Sequence, residues 1–319
     1  MKINKKVIFM NILLLLIFIP VSDYLIFTHY CSPEFRKERN ISYDYFYKKE
    51  PFPTSRCLNR ENYYFRTLEQ DNANKKSIAL LGCSFTYGDS LSDEETFSHQ
   101  LYEKTKGYDI YNWGICGAGI QHMLYLLKDI KVLNEIKNPP EYVIYTYIPS
   151  HIERIRYYYF TENTSNFIAI TSKFDSHKNI VLEKDVFFPK PFYKTFIMKL
   201  LFELKSKYEK INETKYFNEN KEMLYQILLQ TKQIINNKYP QTKFVILIYD
   251  ENPSNDFHFY MKDYFDKLQQ NGFIIIKVDD LIGAEQKNKE RQKDGFHPNA
   301  KAWNLIVPKL IEKLNLQKN

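Results

Sequence analysis

The chain has 319 residues, 44% hydrophobic and 26% charged, an ordinary globular balance that leaves room for one large domain or two small ones. Its formal charge of +7 is dispersed along expected helices, with no compact basic block carrying interleaved aromatics, which argues against a nucleic-acid partner. The four cysteines, Cys31, Cys57, Cys83 and Cys116, form no C-x-x-C pair, which argues against a cysteine metal site.

Lys2, Lys5 and Lys6 precede a mostly apolar run at residues 7–27. At about 1.5 Å per residue such a run just covers a bilayer core of about 30 Å. Asn11, Pro20 and Asp23 interrupt it, and Ser22 apart, no small-x-small cleavage site follows. Residues 1–28 are therefore expected to be an uncleaved membrane anchor, with a cleaved signal peptide as the alternative. The basic start places the N-terminus in the cytoplasm and the bulk of the chain outside, periplasmic or extracellular. Residues 29–75, with Pro33, Pro51 and Pro53, read as a stalk and lead-in. Cys31 and Cys57 lie there, on the oxidising side, and are the expected disulfide. Cys83 and Cys116 are expected to stay as thiols.

From residue 76 a β/α alternation begins and runs to residue 319. Short apolar runs at 78–81, 108–113, 142–148, 244–249 and 273–278 read as strands. Helices are expected at 93–104, opened by the capping-box spacing Ser92-x-x-Glu95, and at 121–136, 192–208, 221–238, 256–270 and 301–314. Pro139-Pro140 ends the second of these helices before the third strand. Residues 149–190 break the rhythm and read as an inserted flap with short strands near 167–170 and 180–182. The stretch from the fifth strand to Pro298 reads as a loop. Five runs separated by helices imply a parallel, doubly wound sheet, in which chemistry sits beyond the carboxyl ends of the strands.

Three strand ends carry reactive residue types. The first strand runs into Gly82-Cys83-Ser84-Phe85-Thr86-Tyr87-Gly88, where a tight turn would expose the Ser84 hydroxyl. The second runs into Asn112-Trp113-Gly114-Ile115-Cys116-Gly117-Ala118-Gly119, whose glycines permit exposed backbone N–H groups of the kind that stabilise an oxyanion. That glycine order is not the dinucleotide fingerprint, so no cofactor is expected. The third leads to Ser150 and His151. Just before the last helix, Asp294-x-x-His297-Pro298 offers a base whose own partner can fold back from three residues earlier. No second histidine or carboxylate stands at ligand spacing nearby, so no metal is expected.

Taken in order, these blocks resemble the SGNH hydrolases, the GDSL esterase/lipase family, over roughly residues 76–316. The segment Gly82–Gly88 is similar to the family's G-D-S-x-x-x-G block, with Cys83 at the usual Asp; Asn112 with Gly117 is similar to its second block, and Asp294-x-x-His297 to its last. The resemblance implies a flavodoxin-like α/β/α three-layer sandwich with a five-stranded parallel sheet. It further implies Ser84 as nucleophile, His297 as general base, Asp294 as the residue that orients it, and Gly117 as an oxyanion donor. The family's G-x-N-D after the third strand is absent, which leaves Ser150 or His151 in the position of the third oxyanion donor. The literal letters Gly88-Asp89-Ser90-Leu91 also occur, but no strand precedes Ser90. With the anchor, the implied activity is an extracytoplasmic serine esterase. Its implied partner is an acylated cell-surface glycan or lipid, with an O-acetyl ester as the simplest form. The alternatives are an O-acyltransferase with the same triad and a catalytically silent envelope-assembly module.

Overall fold

The end of a parallel strand must be met by a crossover, and here each crossover in the large sheet carries a helix packed over one of its faces. The computed structural model describes residues 76–155, 170–176, 179–184, 213–250 and 256–317. The expected anchor, the stalk with Cys31 and Cys57, and the helix at 192–208 lie outside these residues. Two compact units divide the chain, one of residues 1–51 with 186–216 and one of 52–185 with 217–319; the second is the one described below. Among the described residues no helix is long and apolar enough to cross a membrane.

The sheet strands are β1 (Lys76–Gly82), β2 (Tyr108–Gly114) and β3 (Pro140–Tyr147), then β6 (Lys243–Ile248) and β7 (Phe273–Lys277); between β3 and β6 lies an antiparallel hairpin, β4 (Ile170–Phe174) and β5 (Ile180–Lys184). All four pairings in the large sheet are parallel, in the order β2-β1-β3-β6-β7. Counting only its own strands, that order is 2-1-3-4-5, the flavodoxin-like doubly wound arrangement. The chain leaves β1 toward β2 and then crosses β1 to reach β3, so the switch point of the winding is at the carboxyl end of β1.

Both faces of the sheet are covered, which is why its strands read as near-continuous apolar runs rather than alternating ones. Ala79, Leu81, Val143 and Ile246 pack on one side with residues of α3 (Ile120–Tyr125), α5 (Glu213–Lys238) and α6 (Asp256–Gln270). Ile78, Leu80, Ile144 and Leu247 pack on the other with α2 (Phe97–Lys104) and α9 (Ala300–Leu314). There Phe97 and Trp303 stack with centroids 4.7 Å apart.

Three helix expectations are corrected. The helix expected over 93–104 is divided at Thr96. Ser92 and Glu95 do form the capping box, but they close only a 3-10 turn, Asp93–Glu95, and Thr96 then caps α2 by accepting the His99 N–H at 3.2 Å. The helix expected over 121–136 ends as α3 at Tyr125, continues as a π turn, Leu126–Ile130, and is broken by Lys131 in the left-handed region at φ 59°. The expected loop before Pro298 holds two short helices, α7 (Val278–Ile282) and α8 (Ala284–Lys289), pinned by Lys287, 1% exposed, against Asp279 at 2.6 Å. The flap's two short strands form the β4–β5 hairpin, the first at Ile170–Phe174 rather than near 167–170 and the second starting at Ile180 as expected but running on to Lys184; Cys83 and Cys116 are thiols.

Ile144 lies fully buried in a strand flanked by β1 and β6, whereas Val181 on the hairpin is 36% exposed. In urea unfolding, Ile144→Ala is expected to lower stability by about 2–5 kcal/mol, from lost burial plus the cavity. Val181→Ser should stay within about 0.5 kcal/mol.

Candidate active site

The first wall of the site is the turn after β1. Gly82 sits at φ 154°, and a Cβ there would collide with the Thr86 hydroxyl, which itself donates to the Leu81 carbonyl at 3.2 Å. Only glycine lets the chain fold back this closely. Cys83 then caps a single helical turn, α1 (Ser84–Tyr87), closed by Gly88 in the left-handed region with its N–H on the Ser84 carbonyl at 2.9 Å. Ser84 occupies the first position of that turn and is 7% exposed. As a first-turn residue its N–H has no intrahelical acceptor, and it has no other among the described residues.

The end of β2 packs backbone against backbone on this turn. A Cβ on Gly114 would meet the Tyr87 nitrogen and, at 2.8 Å, the Thr86 carbonyl carbon. Asn112 locks the two together: its Nδ2 donates to the Thr86 carbonyl and to Ser98 Oγ, each at 3.0 Å, and its Oδ1 accepts the Gly114 N–H at 2.9 Å. Its amide thus ties the nucleophile turn to α2 and to the end of β2. Gly117, just beyond, has φ 78°, and its N–H has no acceptor among the described residues. The turn it belongs to is clasped by α4 (His151–Arg154): Arg154 Nη1 donates to the Ala118 carbonyl at 3.2 Å, and Gln121 Nε2 donates back to the Arg154 carbonyl.

The second wall is the loop before α9. Gly295, at φ 72°, turns the chain so that Asp294 Oδ1 accepts the N–H groups of Phe296, at 2.8 Å, and His297, at 3.0 Å. The other oxygen, Oδ2, lies 2.6 Å from His297 Nδ1. An ionised carboxylate can only accept, so Nδ1 carries the proton and Nε2 is left as an acceptor. Ser84 Oγ stands 2.7 Å from that Nε2, a bond between residues 213 positions apart that completes the chain of two hydrogen bonds. Burial raises the Asp294 pKa, but the bonds from His297 and the two backbone N–H groups outweigh it, and the carboxyl is held below its ordinary range. The imidazole rests among aromatic rings, with centroids 5.1 Å from Phe85 and 5.3 Å from Phe296.

The residues expected after β3 stand apart from this chain. Ser150 precedes α4 as its N-cap residue, without a capping bond. His151 is wholly buried, with Nδ1 2.6 Å from the Tyr145 hydroxyl, 3.5 Å from the Ile148 nitrogen, and its ring stacked on Tyr145. Neither bonds to Ser84 or His297. Because Nδ1 faces the Ile148 N–H, it is an acceptor there, which places the ring proton on Nε2; that atom has no partner among the described residues. Burial above all, with Arg154 and His122 adding, pushes the imidazole well below its usual pKa, so it is neutral. Ser90 is an exposed loop residue at φ 61°. Sequence reasoning assigned no role to Gln121 or Arg154, since bonds between α4 and α3 with its preceding turn leave no local pattern. Among the described residues no cluster of three or more metal-ligating side chains occurs.

No family model and no curated protein matches the chain. Solved structures similar to it include a member of the lipolytic protein G-D-S-L family from Veillonella parvula, at 11% identity and TM-score 0.46, covering 75% of this chain and 98% of that one. A lipase from a goat rumen metagenome has 15% identity and TM-score 0.44, covering 74% and 96%. The esterase EstA from Pseudoalteromonas has 13% identity and TM-score 0.43, covering 75% and 96%. Likenesses this remote do not say what the chain acts on.

The buried neutral His151 sets a pH dependence of stability. Its folded pKa lies below the unfolded value of about 6.5, so its contribution is fully present above that pH and is lost as pH falls toward the folded value. Unfolding free energy should therefore drop below pH about 6.5 with a slope of up to about 1.4 kcal/mol per pH unit from this residue. The measurement is the urea midpoint between pH 7 and 5. His151→Asn should flatten the slope in that window, whatever it does to stability at pH 7.

Proposed function

We propose that the chain is a serine esterase, with Ser84 as nucleophile, His297 as general base and Asp294 as the group that orients it. The observation that carries this reading is the unbroken chain Ser84 Oγ to His297 Nε2 at 2.7 Å and His297 Nδ1 to Asp294 Oδ2 at 2.6 Å. A serine hydroxyl is a weak nucleophile until a base within hydrogen-bond reach takes its proton, and the base needs a third group to fix its tautomer. As Oγ attacks the ester carbonyl, its proton passes to His297 Nε2. The tetrahedral intermediate collapses, the leaving alkoxide takes that proton, and an acyl-Ser84 ester remains. Water then attacks the acyl-enzyme, giving up a proton to His297, and the carboxylic acid leaves as Oγ is reprotonated.

The oxyanion is held by the N–H groups of Ser84 and Gly117, both without an acceptor among the described residues. The third donor is assigned to the Nε2–H of His151, which has no partner among the described residues but is wholly buried, so substrate binding would have to uncover it. The expected result is that His151→Ala lowers kcat about 10²–10³-fold at nearly constant KM, as loss of one such donor does. If instead Ser150→Ala has that effect and His151→Ala does not, the assignment passes to the hydroxyl.

Anchored by residues 1–28, the enzyme would work outside the cytoplasmic membrane on an acyl ester, in the simplest case an O-acetyl group, of a surface glycan or lipid. The apolar run and its basic flank support that location. An O-acyltransferase uses the same triad with a sugar hydroxyl in place of water; no observation favours it over hydrolysis. Turnover of p-nitrophenyl acetate by the full-length chain tests the reading. Ser84→Ala should abolish it, while Ser90→Ala should keep most of it; activity that survives Ser84→Ala and is lost with Ser90→Ala would overturn the triad.

A further inference from the structure

The bond between Ser84 and His297 joins two loops that lie at opposite ends of the described sequence. A productive alignment of nucleophile and base tolerates only about 0.5 Å of error, so something must fix the distance between the loops. Neither α1 nor the Asp294–His297 turn does this alone. Each is rigid within itself, α1 through Gly82 and Gly88, the other through the two bonds to Asp294 Oδ1.

Phe85 of α1 packs on Phe296 and His297, a contact without direction, and one polar side chain also spans the gap. Gln292 lies three residues beyond α8, and its Nε2 is 2.8 Å from the carbonyl of Asp89, on the nucleophile's loop, and 3.0 Å from the carbonyl of Pro298, next to His297. Both partners are acceptors, so the amide presents its NH2 and spends one proton on each. The Gln292 backbone is tied into the same loop: its N–H donates to the His297 carbonyl at 2.8 Å, and its carbonyl accepts the Gly295 N–H at 2.9 Å. An isolated bridge at Arg291 and Pro298 continues the pairing. The residue that carries the crossing amide is thus itself hydrogen-bonded to the residue that supplies the base.

We propose that Gln292 is a positioning residue for the reaction, setting the Ser84–His297 separation by holding the Asp89 and Pro298 carbonyls on one amide nitrogen. This rests on the esterase reading above. It touches neither the substrate nor the reacting atoms, and its effect is on the rate at which a correctly folded site reacts. No local motif announces it, because its two acceptors are main-chain carbonyls that are neighbours in space but far apart in sequence.

The test is the inactivation rate of the full-length chain by a fluorophosphonate, measured per reactive site after titrating the sites, together with kcat and KM on p-nitrophenyl acetate. Gln292→Met keeps the length and removes both donors; Gln292→Glu sets a carboxylate against two carbonyl oxygens. Each should lower the rate per site and kcat about 10- to 100-fold, the scale of a misplaced reacting group, with KM little changed. Gln292→Lys, whose ammonium can donate to both carbonyls, should retain more of the rate than Gln292→Met. Should the charged variants fail to fold, Gln292→Asn serves, since it keeps the amide but is too short to span both acceptors. A purely structural role would instead reduce the number of reactive sites and leave the rate per site unchanged; that result, or wild-type rates in all the variants, would overturn the proposal. Absence of labelling in the wild type would remove the esterase reading itself, and the positioning role with it.

Discussion

The constraint on which the rest depends is the hydrogen bond from Ser84 to His297. It links residues 213 positions apart, and its 2.7 Å length leaves no slack. For it to form, β1 must end where it does, and the loop before α9 must return to the same edge of the sheet. The doubly wound order satisfies both demands. β1 is an inner strand flanked by β2 and β3, so its carboxyl end is held from both sides, with Gly82 opposite Gly114 and Leu81 opposite Tyr145. α9 packs through Trp303 onto the same face as α2, which fixes the start of that helix and the loop preceding it.

Backbone geometry at the site is glycine geometry. Gly82 and Gly114 are the places where the nucleophile turn meets β1 and β2 with no room for a side chain, and Gly88 and Gly295 close the two turns in left-handed conformations. Polar side chains then finish what the glycines allow. Asn112 uses its amide to tie the Ser84 turn to α2 and to the end of β2, and Asp294 spends one oxygen on its own loop and the other on the imidazole. The ionised state of Asp294 follows from those bonds, which offset the desolvation that opposes it. A carboxylate so held keeps the imidazole proton on Nδ1 and leaves Nε2 facing the serine.

The sheet could be read from the chain because buried parallel strands are short apolar runs with turn signals, and five of them stood in a β/α rhythm. Ser84 could be told from Ser90 for the same reason: one follows such a run, and the other does not. Helix interiors were harder. Consecutive caps at Ser92 and Thr96 compete for the same stretch, and the left-handed Lys131 carries no sequence mark of its conformation. Asp294 and His297 were legible because they are local to each other. His151 was legible as a polar group at the end of β3, but not its burial against Tyr145, which depends on packing between elements.

The most direct measurement is to treat the wild-type full-length chain with a fluorophosphonate and map the adduct by mass spectrometry. One adduct per chain is expected, on Ser84, because among the described residues only that serine has a base at 2.7 Å backed by a carboxylate at 2.6 Å. An adduct on Ser90 or another serine, or no adduct at all, would contradict it.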